Sequence, residues 1–96
     1  MQNRITAQQA HSIASVEYEN LMSIKVGKFL KEVYKTIRTG SEAGLFKVSV
    51  DVNIVDNKYR DRISGVLESD GYTVKYNHRD YDNQDYIIVY WKTFTH

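Results

Sequence analysis

Histidine is the side chain most often used for proton transfer or metal binding near neutral pH, and this chain contains His11, His78 and His96. The three fall in different predicted elements, and none has metal-site spacing such as H-E-x-x-H. No nucleophile and base are placed so that they would converge. The chain has no cysteine, which excludes disulfides, thiol catalysis and thiolate metal sites. We therefore predict a protein that is not an enzyme and that uses no cofactor and no metal.

A polar segment at residues 78–85, HRDYDNQD, is dense in oxygen ligands and contains one arginine, Arg79. It lacks the glycine and the distal glutamate of an EF-hand loop, so the pattern does not predict a calcium site. The composition is typical of a solvated hairpin loop. The functional alternative is a recognition loop beside the last strand, in which Arg79 contacts an anion.

Four cations recur along one side of the first predicted helix: Lys28, Lys31, Lys35 and Arg38. Such a charged side is typical of a helix that packs its other side on a core. The functional alternative is contact with phosphates or an acidic protein, but no base-reading motif accompanies the cations. The 13 basic and 12 acidic side chains leave a net charge of +1. Because this charge gives no general attraction to nucleic acid or anionic membrane, we do not expect either as the main partner.

The chain is organised around a run near its C-terminus, residues 85–91, DYIIVYW. It is apolar on both period-2 faces, with Tyr86, Ile88 and Tyr90 on one face and Ile87, Val89 and Trp91 on the other. A strand with this pattern is usually covered on both faces and paired on both edges. We therefore predict that it is the central strand of a sheet.

The other elements follow from periodicity and caps. Thr6 can cap a helix that runs to about Arg38, and Asp56 or Asn57 can cap a second helix that stops at residues 70–71. Alternating patterns predict strands at residues 45–54 and 72–77. The strand–helix–strand unit requires a right-handed crossover between parallel strands, and the last strand forms a hairpin with its neighbour.

We therefore predict a single domain over residues 1–96 with an α+β fold. A helical N-terminal region, 6–38, precedes a β-α-β-β unit at residues 45–91. The sheet is predicted as a three-stranded mixed sheet in the order 1-3-2, with the helices on one face.

The apolar stripe of the first helix changes direction halfway along it. The bulky second half, from Met22 to Ile37, is rotated by about 100° from the alanine-rich first half. Either the helix breaks near residues 20–23, or its halves contact different partners. We predict that the second half covers the sheet. The first half is predicted to pack on a second copy of the chain through Ala7, Ala10, Ala14 and Leu21.

The second face of the central strand is the candidate functional surface. If Ile87, Val89 and Trp91 face the helices, an apolar strip flanked by lysines faces outward and must be covered. The pattern favours a second subunit, since aromatic strips are typical of interface cores. The alternative is a planar ligand such as a small nucleotide, because tyrosines stack on bases and lysines bind phosphates. The candidate residues are Tyr86, Ile88, Tyr90, Lys47, Lys75 and Arg79.

The chain shows no export or membrane signal. Residues 1–4 lead into a polar helical pattern without the apolar segment of a leader, and no stretch approaches the roughly 20 apolar residues of a membrane span. The lack of cysteine is typical of a reducing compartment. We therefore expect a cytoplasmic protein.

Three segments also carry a resemblance: GLFKVSV at residues 44–50 after the long helix, LESDGYTV at 67–74, and YIIVYW at 86–91. From about Lys25 onward the chain resembles a loose class of small accessory proteins of tailed bacteriophages. In that class a helix ending in L-x-x-x-G-Y precedes a hairpin closing in I-x-x-W. Its members include virion parts and non-catalytic proteins that inhibit host factors or sequester nucleotide signals of bacterial immunity.

The resemblance, the tyrosine–lysine face and the absence of catalytic groupings together favour a non-catalytic phage binding protein in the host cytoplasm that sequesters a host ligand, such as a small nucleotide immune signal or a host protein. Together with the predicted helix contact, we expect it to be a homo-oligomer. The alternatives are a virion structural or assembly module and, second, a nucleic-acid binder.

Overall fold

The computed structural model describes residues 5–91 and confirms the predicted order of elements. They are α1 (Ala7–Glu42), β1 (Lys47–Asp51), α2 (Asn57–Ser69), β2 (Thr73–Arg79) and β3 (Gln84–Tyr90).

The three strands form one sheet in the order β1-β3-β2, as predicted. Both hydrogen-bonded pairs are antiparallel, so the sheet is antiparallel throughout, whereas we predicted a mixed sheet. The two outer strands do run in the same direction, as the crossover through α2 requires. Because β3 lies between them, their parallel relation never becomes a hydrogen-bonded ladder.

Helix α1 is continuous over its 36 residues, so the break left open near residues 20–23 is not present. It begins with a capping box, in which the Thr6 hydroxyl accepts from the Gln9 amide at 3.1 Å and the Gln9 side chain accepts from the Thr6 amide at 2.9 Å. The helix continues about one turn past its predicted end at Arg38. It stops where Gly44 takes a positive φ of 83°, a conformation that favours glycine.

Buried apolar side chains from both helices, from β3 and from the segment after β1 form the core: Met22, Val26, Val33, Ile37, Val52, Ile54, Tyr59, Ile63, Leu67, Ile87 and Val89. Ile87 and Val89 are completely inaccessible to solvent, and Trp91 packs against the same core. The facing of β3 on which the candidate surface depended is therefore the observed one. Since side chains alternate along a strand, Tyr86, Ile88 and Tyr90 lie on the face that points away from the helices.

The first half of α1 is joined to the start of α2 by one carboxylate, that of Glu19. Glu19 accepts hydrogen bonds from Lys58 at 3.0 Å and from the buried Tyr59, and it forms an ion pair with Arg62 at 3.3 Å. The bonds from Tyr59 and Lys58 lower the pKa of Glu19 to about 2. This cluster holds the two helices together on one side of the sheet.

The two halves of α1 have different environments. The second half is buried against the sheet and α2 through Met22, Val26, Val33 and Ile37, as predicted. The first half lies largely in solvent, with a long exposed apolar surface. The change in direction of the apolar stripe therefore reflects a change of neighbours along one continuous helix.

Candidate binding site

The surface that we call the open face consists of three rows of side chains on the side of the sheet opposite the helices. The rows are Lys47–Tyr90–Thr73, Ser49–Ile88–Lys75 and Asp51–Tyr86–Asn77. The central side chains are half-buried and the flanking ones are exposed. The result is an apolar, aromatic ridge along β3 with polar margins on β1 and β2.

Two lysines converge on one ring at one end of this ridge. The Nζ atoms of Lys47 and Lys75 each lie 6.0 Å from the centroid of the Tyr90 ring. Within residues 5–91 neither lysine forms an ion pair. Cation–π contacts at exposed sites contribute only about 0.5–1 kcal/mol, so they orient the lysines without neutralising them. The Tyr90 ring therefore has two positively charged groups beside it.

At the other end of the ridge the nearby cation is already paired with carboxylates. The guanidinium of Arg79 lies 5.4 Å from the Tyr86 ring and binds Asp51 and Asp82, with an Nη1–Oδ1 distance of 2.9 Å to Asp51 and an Nη2–Oδ2 distance of 2.9 Å to Asp82. The hydrogen bonds to Asp82 and Asp51 raise the pKa of Arg79 above the already high value of a free guanidinium. Because two carboxylates already bind it, an anion would have to displace one of them to use Arg79 as the contact that the sequence offered as an alternative.

A polar cluster at the hairpin was missed by the sequence reasoning. His78 and Asp85 lie directly opposite each other in the β2–β3 register, with Nδ1 and Oδ1 2.6 Å apart. The second oxygen of Asp85 accepts from Nη2 of Arg60 on α2 at 2.7 Å. Arg60 and His78 lower the pKa of Asp85, and Asp85 raises that of His78. The pair could have been predicted from the sequence, because His78 and Asp85 are placed symmetrically about the hairpin turn.

This cluster is a structural clamp between the hairpin and α2. Arg60 also donates to the carbonyl of Ile54 and lies 5.2 Å from the ring of Tyr76. In the described part of the chain, no serine, threonine or tyrosine hydroxyl forms a hydrogen bond with His78. The pair therefore orients an imidazole without activating a neighbouring nucleophile.

The clamp makes stability depend on pH. The pKa of His78 is raised from 6.5 in the folded state. The stabilisation that protonated His78 contributes is therefore complete below pH 6.5 and is lost as the pH rises through the folded-state pKa. The lowered pKa of Asp85 has the opposite effect, because its contribution to stability is lost as the pH falls through the folded-state pKa. We expect His78→Gln to flatten the fall in Tm between about pH 6 and pH 8. Thermal melts from pH 5 to 9 measure this, with His11→Gln as the control; an unchanged slope in His78→Gln would contradict it.

The predicted helix contact is accessible. Ala7 and Ala14 are exposed, Ala10 is half-buried, and Leu21 is 60 % exposed. None of these residues belongs to the core, so the structure leaves this side of the helix open for a partner.

The basic residues of α1 are exposed too, and within residues 5–91 none of the four forms an ion pair: Lys28, Lys31, Lys35 and Arg38. Three of them line a groove of about 750 Å³ beside Tyr34 and Tyr72. The Tyr34 hydroxyl donates to the carboxylate of Asp70 at this groove. The groove is therefore predominantly but not purely basic.

No group of three or more histidines, aspartates or glutamates within residues 5–91 could hold a metal ion. Across the same residues, no helix combines the length and apolar character needed to cross a membrane. His96 and residues 1–4 lie outside the described part of the chain. Comparisons with protein-family models, curated proteins and solved structures found no match.

Proposed function

We propose that this chain is a non-catalytic, homo-oligomeric binding protein whose open face takes a planar, phosphate-bearing ligand of the small-nucleotide class. The observation that carries the proposal is the position of Tyr90 between the ammonium groups of Lys47 and Lys75, neither of which forms an ion pair within residues 5–91. An aromatic ring stacks on any base, and ammonium groups bind phosphate through charge-assisted hydrogen bonds.

The ridge also matches the size of a ligand with more than one ring. Tyr86 and Tyr90 are four residues apart on β3, which corresponds to about 13 Å along a strand. Base stacking on an aromatic side chain contributes about 1–3 kcal/mol per base. A dinucleotide that placed one base on each tyrosine would gain this contribution twice.

The charges give the ligand a direction on the face. The lysines, which lack an ion pair among the described residues, lie at the Tyr90 end, whereas Arg79 at the Tyr86 end is paired with Asp51 and Asp82. The phosphates therefore belong beside Tyr90. Beside Tyr86, the Asn77 side chain offers amide donors for a base edge, while its oxygen accepts from the His78 amide at 2.9 Å.

The side chains of the face support binding rather than turnover. Tyrosine, isoleucine and lysine stack on, cover and neutralise a ligand. The sequence resemblance to small bacteriophage accessory proteins supports the setting: a host nucleotide signal sequestered in the cytoplasm of the infected cell. Sequestration needs only a Kd below the concentration of the signal, with no chemical step.

A thermal-shift panel tests the proposal. We expect a cyclic dinucleotide, an ADP-ribose derivative or a related nucleotide to raise Tm, because a ligand that binds only the folded state stabilises it. The double variant Lys47→Gln/Lys75→Gln should then raise the ligand Kd by about tenfold or more. Lys25→Gln, a change of an exposed lysine on α1, is the matched control. Silence across the panel would remove the nucleotide ligand, and an unchanged Kd in the double variant would move the site elsewhere.

A protein-contact role is supported by the half-buried apolar ridge itself, which is the kind of surface that a virion or assembly component would cover. Mass spectrometry of purified particles distinguishes this alternative, since a virion component must be present in them.

Nucleic-acid binding is supported by the groove that Lys31, Lys35 and Arg38 line beside two tyrosines. It requires an affinity that falls steeply with salt, because phosphate contacts release counterions. A flat salt response would exclude it.

A further inference from the structure

The outer side of α1, opposite the core, carries a regular pattern of exposed side chains. Successive members are separated by four and three residues in alternation, and we call them the outer stripe: Ala10, Ala14, Glu17, Leu21, Ile24, Lys28, Lys31 and Lys35. All are exposed except Ala10, which is half-buried. An average spacing of 3.5 residues is that of the a and d positions of a coiled coil.

The middle of the outer stripe is apolar although it faces solvent. Leu21 is 60 % exposed and Ile24 is 56 % exposed. In the same turns, Met22 and Val26 are buried on the other side of the helix. The helix is thus apolar on two opposite sides here, and the described residues cover only one of them.

The charges of the outer stripe are unequally distributed about this apolar pair. Glu17 lies on the N-terminal side, and Lys28, Lys31 and Lys35 lie on the C-terminal side. Within residues 5–91 none of these four forms an ion pair. In a parallel pair of helices each lysine would face its own copy, and like charges at such contacts are destabilising.

An antiparallel pair converts the same distribution into attraction. With a twofold axis midway between Leu21 and Ile24, each Leu21 faces the Ile24 of the other copy. Each Glu17 then faces the other copy's Lys28. The remaining lysines face alanines, whose small side chains leave room for the lysine stems to lie along the helix.

We infer that two copies of this chain form a twofold antiparallel helix pair through the outer stripe, with Leu21–Ile24 contacts at its centre and Glu17–Lys28 ion pairs on both sides. Such an interface uses the same patch on both copies and therefore closes as a dimer. The inference gives a geometry to the homo-oligomer of the proposed function, and it does not depend on any ligand.

The rest of the fold is compatible with this arrangement. The sheet and α2 pack on the side of α1 that carries Val26 and Val33. At 100° per residue this side is roughly opposite the outer stripe, so the two sheets lie on the outside of the helix pair. The contact from Ala10 to Lys35 extends over about 38 Å of helix. Both open faces stay accessible in the dimer.

Cysteine cross-linking tests the register, since the chain has no native cysteine. In a Glu17→Cys/Lys28→Cys chain the two thiols are about 16 Å apart along one helix, too far for a bond within the chain. The antiparallel pair places them together across the axis. On a denaturing gel after mild oxidation, we expect a covalent dimer of the double variant. Either single variant should give only uncross-linked chains. Covalent dimers from both single variants, without extra cross-linking in the double variant, would establish parallel pairing and overturn the inference.

Light scattering of the uncross-linked protein, without ligand, provides the second measurement. We expect the mass of a dimer for the wild type and of a monomer for Leu21→Glu. The matched control is Val16→Glu, because Val16 is also 60 % exposed but points about 140° away from Leu21. Glu17→Lys and Lys28→Glu should each raise the dimer Kd by about tenfold or more, and the two together should restore it.

A monomeric wild type, or a dimer that Leu21→Glu leaves intact while it remains folded by circular dichroism, would overturn the inference. Neither result bears on the nucleotide site, which the thermal-shift panel tests by itself.

Discussion

Ile87→Ala is expected to lower the free energy of unfolding by about 2–5 kcal/mol, whereas Ile88→Ala, one residue further along β3, should cost much less. Ile87 is completely buried against the helices, so its truncation leaves a cavity that the core can only partly fill. Ile88 lies on the open face and is only half-buried. The pair is matched in side chain, strand and sequence position, so the difference isolates the two faces of the sheet.

Urea unfolding at a fixed protein concentration measures both changes, provided that the slope with denaturant is the same as in the wild type. Equal costs at the two positions would show that something covers the open face. A repeat at several protein concentrations then tells whether a second subunit is the cover, because a dimer contact makes the apparent stability concentration-dependent.

Gly40→Ala is expected to destabilise the protein by about 1–3 kcal/mol, while Gly27→Ala in the same helix should stabilise it by up to about 1 kcal/mol. A Cβ at Gly40 would lie 2.6 Å from a methyl carbon of Val48 on β1. Valine is stiff at χ1, so the methyl cannot swing away and the helix or the strand must shift. A Cβ at Gly27 has no neighbour within 4 Å.

The two glycine variants control for each other, since both replace a helical glycine and both gain the same intrinsic helix propensity. Thermal or urea unfolding of the single variants measures the difference. A Gly40→Ala protein as stable as Gly27→Ala would mean that α1 does not approach β1 closely. The packing of the last turns of α1 on the sheet would then have to be reconsidered.

The two surfaces with proposed roles lie on opposite sides of the molecule. The open face is on the outside of the sheet, and the outer stripe is on the far side of α1, with the core between them. A dimer through the outer stripe therefore leaves two ligand faces exposed. The ligand experiment and the dimer experiment test independent surfaces, and either proposal can fail alone.

Local patterns in the sequence determined most of the fold. Thr6 and Asp56 mark the helix starts, because a cap satisfies backbone amides within the next turn. The two-sided apolar pattern of residues 86–91 placed β3 in the centre. The alternation of its side chains then separated Ile87 and Val89 from Tyr86 and Tyr90. Each of these features depends on residues a few positions apart, where spacing alone specifies geometry.

The tertiary structure decided what depends on residues far apart in the chain. Arg79 can pair locally with Asp82, three residues away, but only the folded sheet brings Asp51 of β1 to it. Asp85 becomes part of a clamp only because α2 crosses back and presents Arg60 to the hairpin. Insertion of β3 between β1 and β2 makes every ladder antiparallel. Such pairings depend on distances that exist only after the chain has folded, so no local spacing encodes them.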